Sequence, residues 1–239
     1  MKQIGTLFGV SVGTGDPELI TLKGLKTLQK CPIVAFPQGI KGKQGVAQKI
    51  ITSYLQPQQK QLPLSFPYTL STTDLSNAWH EVSLVVWQYL EQGVDVAFAC
   101  EGDISFYSTF TYLALTLQSL HPQVQIERIP GVSSPMVSAS ALSLPLTIQQ
   151  EKLIVLPALY SVQKLEEALD YAEVVVLMKV ASVYSQVWKI LEQRNLFEYA
   201  YLIEKASTPE EKIYPNLQQR PQLSLNYFSI LIICQRNLV

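Results

Sequence analysis

Charged residues are few in this sequence. Asp, Glu, Lys and Arg make up 15% of its 239 residues, hydrophobic residues make up 48%, and the formal net charge at pH 7 is −1. A disordered chain has the opposite balance, so this chain is expected to fold around a sizeable core. It also lacks the excess of positive charge that attracts nucleic acid or an anionic membrane, so no such partner is predicted.

Histidine and cysteine are also rare. The chain has two histidines and three widely spaced cysteines, with no CxxC pair. Neither a disulfide framework nor a zinc site is expected from this pattern, and no protein-bound metal is predicted. No apolar run reaches the ~18 residues of a membrane span, and the N-terminal segment does not resemble a secretion signal. The sequence therefore predicts a soluble, cytoplasmic protein.

Short apolar runs alternate with helical patterns along the chain, which indicates an α/β protein with largely parallel strand pairing. A composition break near residue 147 predicts two α/β lobes, 1–147 and 148–239. The polar segment Pro209–Leu225 is typical of a hairpin or meander. The predicted strands are Ile4–Val12, Ile33–Phe36, Val94–Cys100, Gln123–Ile129, Leu153–Leu156, Val174–Met178, Tyr199–Glu204 and Phe228–Cys234. The predicted helices are Glu18–Gln29, Asn77–Leu90, Phe106–Leu120, Pro135–Ser143, Val162–Tyr171 and Val183–Gln193.

Three glycine-bearing loops follow predicted strands of the first lobe, at Gly9–Asp16, Cys100–Thr109 and Ile129–Pro135. Open α/β sheets bind ligands at the carboxyl ends of their strands, so the three loops are expected to face one small-molecule site. None matches a dinucleotide fingerprint or a Walker loop. The alternative for each loop taken singly is an ordinary tight turn leading into a capped helix.

Taken together, these segments resemble the tetrapyrrole methylases, enzymes that use S-adenosylmethionine to modify uroporphyrinogen and corrin precursors. Within the family, the closest resemblance is to the branch that methylates carbon 20 of precorrin-2 or cobalt-factor II. A methylase acting at another position and a non-catalytic tetrapyrrole carrier are the alternatives. Five family motifs occur in order: a G-x-G-x-G-D-like loop, a G-D-x-x-x-Y loop, a P-G-x-S/T-S/A loop, a strand-end Met and an E-x-A/G-S/T turn, at Gly9–Asp16, Gly102–Tyr107, Pro130–Ser134, Met178 and Glu204–Ser207.

The resemblance implies a homodimer of two-lobed subunits, with S-adenosylmethionine and a tetrapyrrole substrate held in the cleft between the lobes. Two residues depart from the common pattern: Thr14 and Ile104 stand where the family often has proline. Ala206 stands where other members have glycine. The cofactor-binding residues that the resemblance implies are Thr14, Gly102, Asp103, Ile104, Phe106, Ser133, Ser134, Met178, Ala206, Ser229 and Ile230.

The methyl transfer expected from this resemblance requires few catalytic side chains. A sulfonium is a good methyl donor, and holding the reactants in line can supply ~7–11 kcal/mol of the barrier reduction. The methylated carbon must lose a proton, and Asp103 and Glu101 are the candidate catalytic bases. Lys41, Lys43 and Lys179 are candidate ligands for the substrate carboxylates, with solvated surface as the alternative for each. The glycine-rich segment Pro37–Gly45 is predicted to act as a lid over the site.

Overall fold

A computed structural model describes residues 3–39, 43–66, 72–157 and 162–236 of the chain. It forms two compact units, Met1–Ser133 and Ser134–Val239. The division lies earlier than the boundary predicted after residue 147. The difference arises because helix α5, Ser134–Ala141, packs on strand β10, Ser229–Cys234, and so belongs to the second unit.

The first unit is built on a five-stranded, all-parallel sheet in the order β3-β2-β4-β1-β5. The parallel pairing confirms the prediction for this half of the chain. Its strands are Thr6–Ser11 (β1), Ile33–Pro37 (β2), Lys60–Leu64 (β3), Val96–Cys100 (β4) and Gln125–Ile129 (β5). Its helices are Leu22–Lys30 (α1), Val46–Ile51 (α2), Thr72–Leu90 (α3) and Thr109–Leu120 (α4).

Both faces of this sheet are covered by apolar clusters. All five residues of β4 are buried, as expected of a central strand in a sheet with helices on both faces. Val82 and Val86 of α3 are buried against one face, and Leu28 of α1 and Ile50 of α2 against the other. Val82 and Val86 of α3 therefore pack on the sheet of their own unit.

The second unit contains a mixed sheet in the order β6-β7-β10-β8-β9. Strands β6 and β7 are parallel, but β10 runs antiparallel to both of its neighbours, and β8 and β9 are antiparallel as well. The prediction of largely parallel pairing is wrong for this sheet. The segment Pro209–Leu225, predicted to be a hairpin or meander, contributes one strand, β9, which pairs antiparallel with the preceding strand β8. The remaining elements are Leu153–Leu156 (β6), Val174–Met178 (β7), Ala200–Glu204 (β8), Lys212–Tyr214 (β9), Gln163–Tyr171 (α6) and Tyr184–Gln193 (α7).

Strand β10 lies between β7 and β8 and runs antiparallel to both. Strand β9 is also antiparallel to β8, so β9 and β10 run in the same direction on either side of it. The first residues of β10 therefore lie at the same end of the sheet as the last residues of β7 and β8. In the described ranges, no helix is long and apolar enough to span a bilayer.

Candidate functional site

The three loops predicted to share a site follow adjacent strands of the first sheet, because β1 lies between β4 and β5. The first two loops are joined directly. The Gly102 N–H donates to the Gly13 carbonyl at 2.7 Å, and the Val12 N–H donates to the Cys100 carbonyl at 2.9 Å. Gly13 and Gly102 have φ values of +76° and +70°, a region in which only glycine is unstrained. The glycines are therefore required by the backbone conformation that brings the loops together.

A side chain added at Gly102 would meet very different surroundings from one added at Gly131. A Cβ on Gly131 would lie 2.4 Å from the Cβ of Ser11, so a side chain at residue 131 would clash. At Gly102, no heavy atom of the described chain lies within 4 Å of the place a Cβ would occupy. The backbone of the second loop is thus open on this side, which is the arrangement that close approach of a ligand requires.

Asp103 connects the second loop to the third. Its Oδ2 accepts a hydrogen bond from the Gly131 N–H at 2.7 Å, and its Oδ1 accepts from the Ser105 N–H at 2.9 Å and from the Ser105 hydroxyl. Partial burial opposes ionisation of the carboxyl group. The hydrogen bonds from the Ser105 hydroxyl and from the Gly131 and Ser105 amides outweigh it, so the pKa of Asp103 is lowered. Asp103 is accordingly an ionised acceptor that holds two loops together.

The other predicted residues of the second loop differ in exposure. Ile104 is 2% exposed and packs in the core, whereas Glu101 is exposed and Phe106 is half-buried, with its ring edge-on to the Tyr107 ring at 4.6 Å. The helix expected from Phe106 begins three residues later, at Thr109, because the Ser108 hydroxyl caps it by accepting from the Phe110 N–H.

The first and third loops also show the expected local structure. Asp16 is the N-cap of a 3-10 turn and accepts from the Glu18 N–H at 2.8 Å, as its position before a proline predicted. Thr14 is half-buried in the same loop. Ser133 and Ser134 are half-buried at the start of α5, with Ser133 as the last residue of the first unit.

Besides Ser134, the cofactor residues predicted in the second unit lie at one end of its sheet. Met178 is paired with Ile230, and Ser229 is paired with Glu204, so the end of β7, the start of β10 and the end of β8 are neighbours. Ala206 follows two residues after β8 and is buried. Ser229 is also buried, and its hydroxyl has no hydrogen-bond partner among the described residues. Three residues at these strand ends have left-handed φ values of +49° to +67°, namely Lys179, Lys205 and Ser207.

The buried carboxylate of Glu204 holds the turn after β8 in place. It accepts from the Tyr214 hydroxyl at 2.5 Å and from the Asn226 N–H. Burial and this hydrogen bond to Glu204 raise the pKa of Tyr214, so the hydroxyl stays protonated as the donor. Sequence reasoning assigned Glu204 only to a motif and missed this anchoring role, which depends on a partner ten residues away on β9.

The predicted substrate-binding lysines that the structure describes lie in different units, Lys43 in the first and Lys179 in the second. The Lys179 Nζ lies 4.9 Å from the centre of the Tyr227 ring, a cation–π contact. Lys43 is exposed, and Lys41 lies outside the described residues, as do residues 40 and 42 of the predicted lid. Across the described ranges, no three His, Cys, Asp or Glu side chains are grouped so as to hold a metal ion.

The sequence profile described as Tetrapyrrole (Corrin/Porphyrin) Methylases matches residues 6–220. The chain belongs to this family. Over 230 residues, covering 96% of both proteins, it is 29% identical to the cobalt-precorrin-2 C(20)-methyltransferase of Salmonella typhimurium. Over 238 residues, covering 96% of this chain and 95% of the relative, it is 27% identical to the precorrin-2 C(20)-methyltransferase of a Sinorhizobium species.

Solved structures support the same fold. A cobalt precorrin-4 methyltransferase aligns with a TM-score of 0.71 at 22% identity, covering 95% of this tetrapyrrole methylase and 94% of the solved chain. The uroporphyrin-III C-methyltransferase of Thermus thermophilus, solved with S-adenosyl homocysteine, aligns with a TM-score of 0.65 at 20% identity, covering 96% and 92% of the two chains. At these identities the likeness establishes the fold.

Proposed function

We propose that this tetrapyrrole methylase transfers a methyl group from S-adenosylmethionine to carbon 20 of precorrin-2 or of its cobalt-containing form. The observation that carries the proposal is the near full-length match to relatives named for that reaction. The two relatives are named for a cobalt-containing and a metal-free substrate respectively, so both forms are included. A methylase acting on another carbon is the second candidate, since more distant relatives are named as C(11)-methyltransferases.

The strand-end loops fit this cofactor. The open side of Gly102 leaves room for a ligand against the backbone, and the buried Ser229 hydroxyl is a hydrogen-bonding group without a partner in the described chain. When bound, S-adenosylmethionine supplies an electrophilic methyl group on its sulfonium. The residues proposed to hold it are Thr14, Gly102, Asp103, Ile104, Phe106 and Ser133 from the first unit, and Ser134, Met178, Ala206, Ser229 and Ile230 from the second.

Within this proposal, the two candidate bases have different tasks. Asp103 already accepts several hydrogen bonds and its pKa is lowered, so its affinity for a further proton is weak. We assign it the positioning of the second and third loops. Glu101 is the neighbouring exposed carboxylate and is the proposed acceptor of the proton that leaves carbon 20. Orientation of the substrate in a site that excludes water accounts for most of the rate enhancement.

The substrate carries several carboxylates, and lysines at strand ends are the proposed ligands for them. Lys179 is half-buried and contacts the exposed Tyr227 ring, which limits the freedom of its side chain. Lys43 and Lys41 are proposed to meet further carboxylates from the glycine-rich segment. Each exposed ion pair contributes only ~0.2–1 kcal/mol, so the loss of either one should raise the Michaelis constant by several-fold at most.

Two broader features complete the proposal. We propose a homodimer, as the resemblance implies, and a cytoplasmic location. All three cysteines are buried and unpaired, and free thiols are typical of reducing compartments.

The decisive experiment is incubation of the protein and S-adenosylmethionine with precorrin-2 and, in parallel, with its cobalt complex. Mass spectrometry should show a gain of one methyl group, and NMR of product made with a ¹³C-labelled methyl donor should place it at carbon 20. Methylation at another carbon would favour the second candidate. Absence of methylation from both substrates would contradict the proposed enzyme activity and favour a tetrapyrrole carrier.

A further inference from the structure

Ser11, the last residue of β1, is fully buried beneath the three loops. Its hydroxyl donates to the Ile129 carbonyl at the end of β5, at 2.8 Å. The same oxygen accepts from the Ile104 N–H in the loop after β4, also at 2.8 Å. One hydroxyl at the end of β1 therefore connects the end of β5 to the loop that follows β4.

The hydrogen bond from the Ile104 N–H to the Ser11 hydroxyl satisfies a buried backbone donor. Ile104 is buried, and a buried N–H without a partner costs the full desolvation of that group. The family pattern often has proline at this position, and proline has no N–H to satisfy. Here the Ser11 hydroxyl supplies the acceptor that a non-proline residue needs.

The Ser11 side chain has room beneath the third loop because residue 131 is glycine. A Cβ added at residue 131 would lie 2.4 Å from the Ser11 Cβ, so a larger residue there would displace Ser11.

We infer that Ser11 is a positioning residue: its hydroxyl sets the placement of the Gly102–Ile104 turn relative to the Gly131 loop, and so shapes the cofactor site. The inference rests on the proposed function, because these loops are the ones proposed to hold S-adenosylmethionine. Ser11 has no direct part in methyl transfer. It acts through the backbone of the residues it holds.

The test is a double-mutant cycle read out by calorimetric titration with S-adenosylhomocysteine. Ser11→Ala and Ser11→Gly leave the Ile104 N–H unpaired, so each should weaken binding about tenfold, in line with the cost of an unsatisfied buried donor. Ile104→Pro removes that N–H, so adding it to Ser11→Gly should recover part of the affinity that Ser11→Gly loses. Its unfolding free energy should remain lower than that of the wild type, because the buried Ile104 side chain is lost.

Ser83→Ala is the matched control. Ser83 is equally buried in the same unit, but its hydroxyl has no partner within the described residues, so its removal should leave binding unchanged. In steady-state assays, Ser11→Ala should raise the Michaelis constant for S-adenosylmethionine and leave that for the tetrapyrrole unchanged. A residue with only a structural role would lower stability without this selective change and without rescue by Ile104→Pro.

Wild-type affinity in folded Ser11→Ala would overturn the inference and leave the proposed function intact. Failure of Ile104→Pro to improve binding in the Ser11→Gly background would overturn it as well. If Ser11→Ala does not fold, the comparison of Ser11→Gly with the double variant decides the question. If the wild type itself binds no S-adenosylhomocysteine, the proposed function fails and the role of Ser11 fails with it.

Discussion

A single carboxylate, Asp103, shows how hydrogen bonding decides the role of a residue at the site. Both oxygens accept hydrogen bonds from Ser105 or Gly131, and the pKa of the group is lowered because those bonds outweigh partial burial. The ionised form is therefore the one that the loops require. A side chain held in this way is better suited to fixing loop geometry than to removing a proton from a substrate.

Replacing Asp103 by Asn should weaken S-adenosylhomocysteine binding several-fold, because the neutral amide cannot accept as many hydrogen bonds as the carboxylate. The turnover number at saturating cofactor should fall less than in Glu101→Gln, where loss of a general base should cost about 100-fold or more. Steady-state kinetics and calorimetry of the two variants distinguish the roles. Unchanged cofactor affinity together with abolished turnover in Asp103→Asn would instead make Asp103 the base.

The lowered pKa of Asp103 also predicts an acid-sensitive contribution to stability. A group with a depressed folded-state pKa stabilises the fold above its unfolded value, and this stabilisation is lost as the pH falls through the folded value. For Asp103 the loss should occur below its usual value of 3.8. Urea unfolding between about pH 5 and pH 3 should show a decrease in the wild type that is smaller in Asp103→Asn. Parallel curves for the two proteins would contradict this prediction.

Among the elements, the end of β10 is held by a clamp at the edge of the sheet opposite the cofactor residues. The Arg236 guanidinium donates to the Glu151 carboxylate and to the Pro145 carbonyl, and the Glu151 Oε2 also accepts from the Ile148 N–H at 2.7 Å. The side chains of Arg236 and Glu151 are only 10% and 16% exposed. The clamp therefore ties the loop that precedes β6 to the last strand.

Arg236→Ala should destabilise the protein by about 3 kcal/mol, because it leaves the Glu151 carboxylate poorly solvated and unpaired. Hydrogen exchange measured by mass spectrometry should accelerate across residues 145–156 before other parts of the chain. Arg194→Ala is the control, since its ion pair with Asp170 is exposed and should contribute little. Equal losses of stability in the two variants would show that burial of the Arg236–Glu151 ion pair does not increase its contribution to the free energy of unfolding.

For the whole molecule, the three cysteines are probes of how well both cores exclude solvent. Cys31, Cys100 and Cys234 are all buried, and burial raises the pKa of Cys31 to about 12 and that of Cys100 to about 11. A nearby Asp95 adds to the shift at Cys31. Because a raised folded-state pKa favours the protonated form in the fold, the stability that it supports should be lost as the pH rises above 9.0.

The thiols should accordingly be almost unreactive toward a disulfide reagent in the native protein at about pH 8, because thiolate is the reactive form. All three should react rapidly in urea. Unfolding free energies measured from about pH 8 to pH 10 should decrease, and a Cys31→Ser variant should lose less over that range. Rapid reaction of one thiol in the native state would reveal local opening around it.

Homodimer formation is a separate prediction for the whole molecule. Size-exclusion chromatography with light scattering at micromolar concentration should give about twice the mass of one 26.8 kDa chain. A single-chain mass across that concentration range would contradict the proposed assembly.

Local sequence determined much of the fold. Strand β7 has the predicted bounds, and four of its five residues are buried, because every position of a strand must be apolar when both faces are covered. Glycines with positive φ and the capping residue Asp16 also act through their immediate neighbours. These features could be predicted because the forces that cause them operate over a few residues. The cap at Ser108 was not predicted, and the helix that it begins was expected to start at Phe106. Strand β3 was missed because its sequence, KQLPL, is partly polar and carries a proline that an edge strand tolerates.

Tertiary structure alone decided which distant groups meet. Strand β10 enters the sheet between β7 and β8, antiparallel to both, and this places Ile230 beside Met178. The contact between Ser11 and Ile104 joins residues 93 positions apart. Nothing in the run GVSVG distinguishes a hydroxyl that joins β5 to the loop after β4 from one that faces solvent. That distinction depends on the order of the strands in the sheet, which brings β4 and β5 to either side of β1.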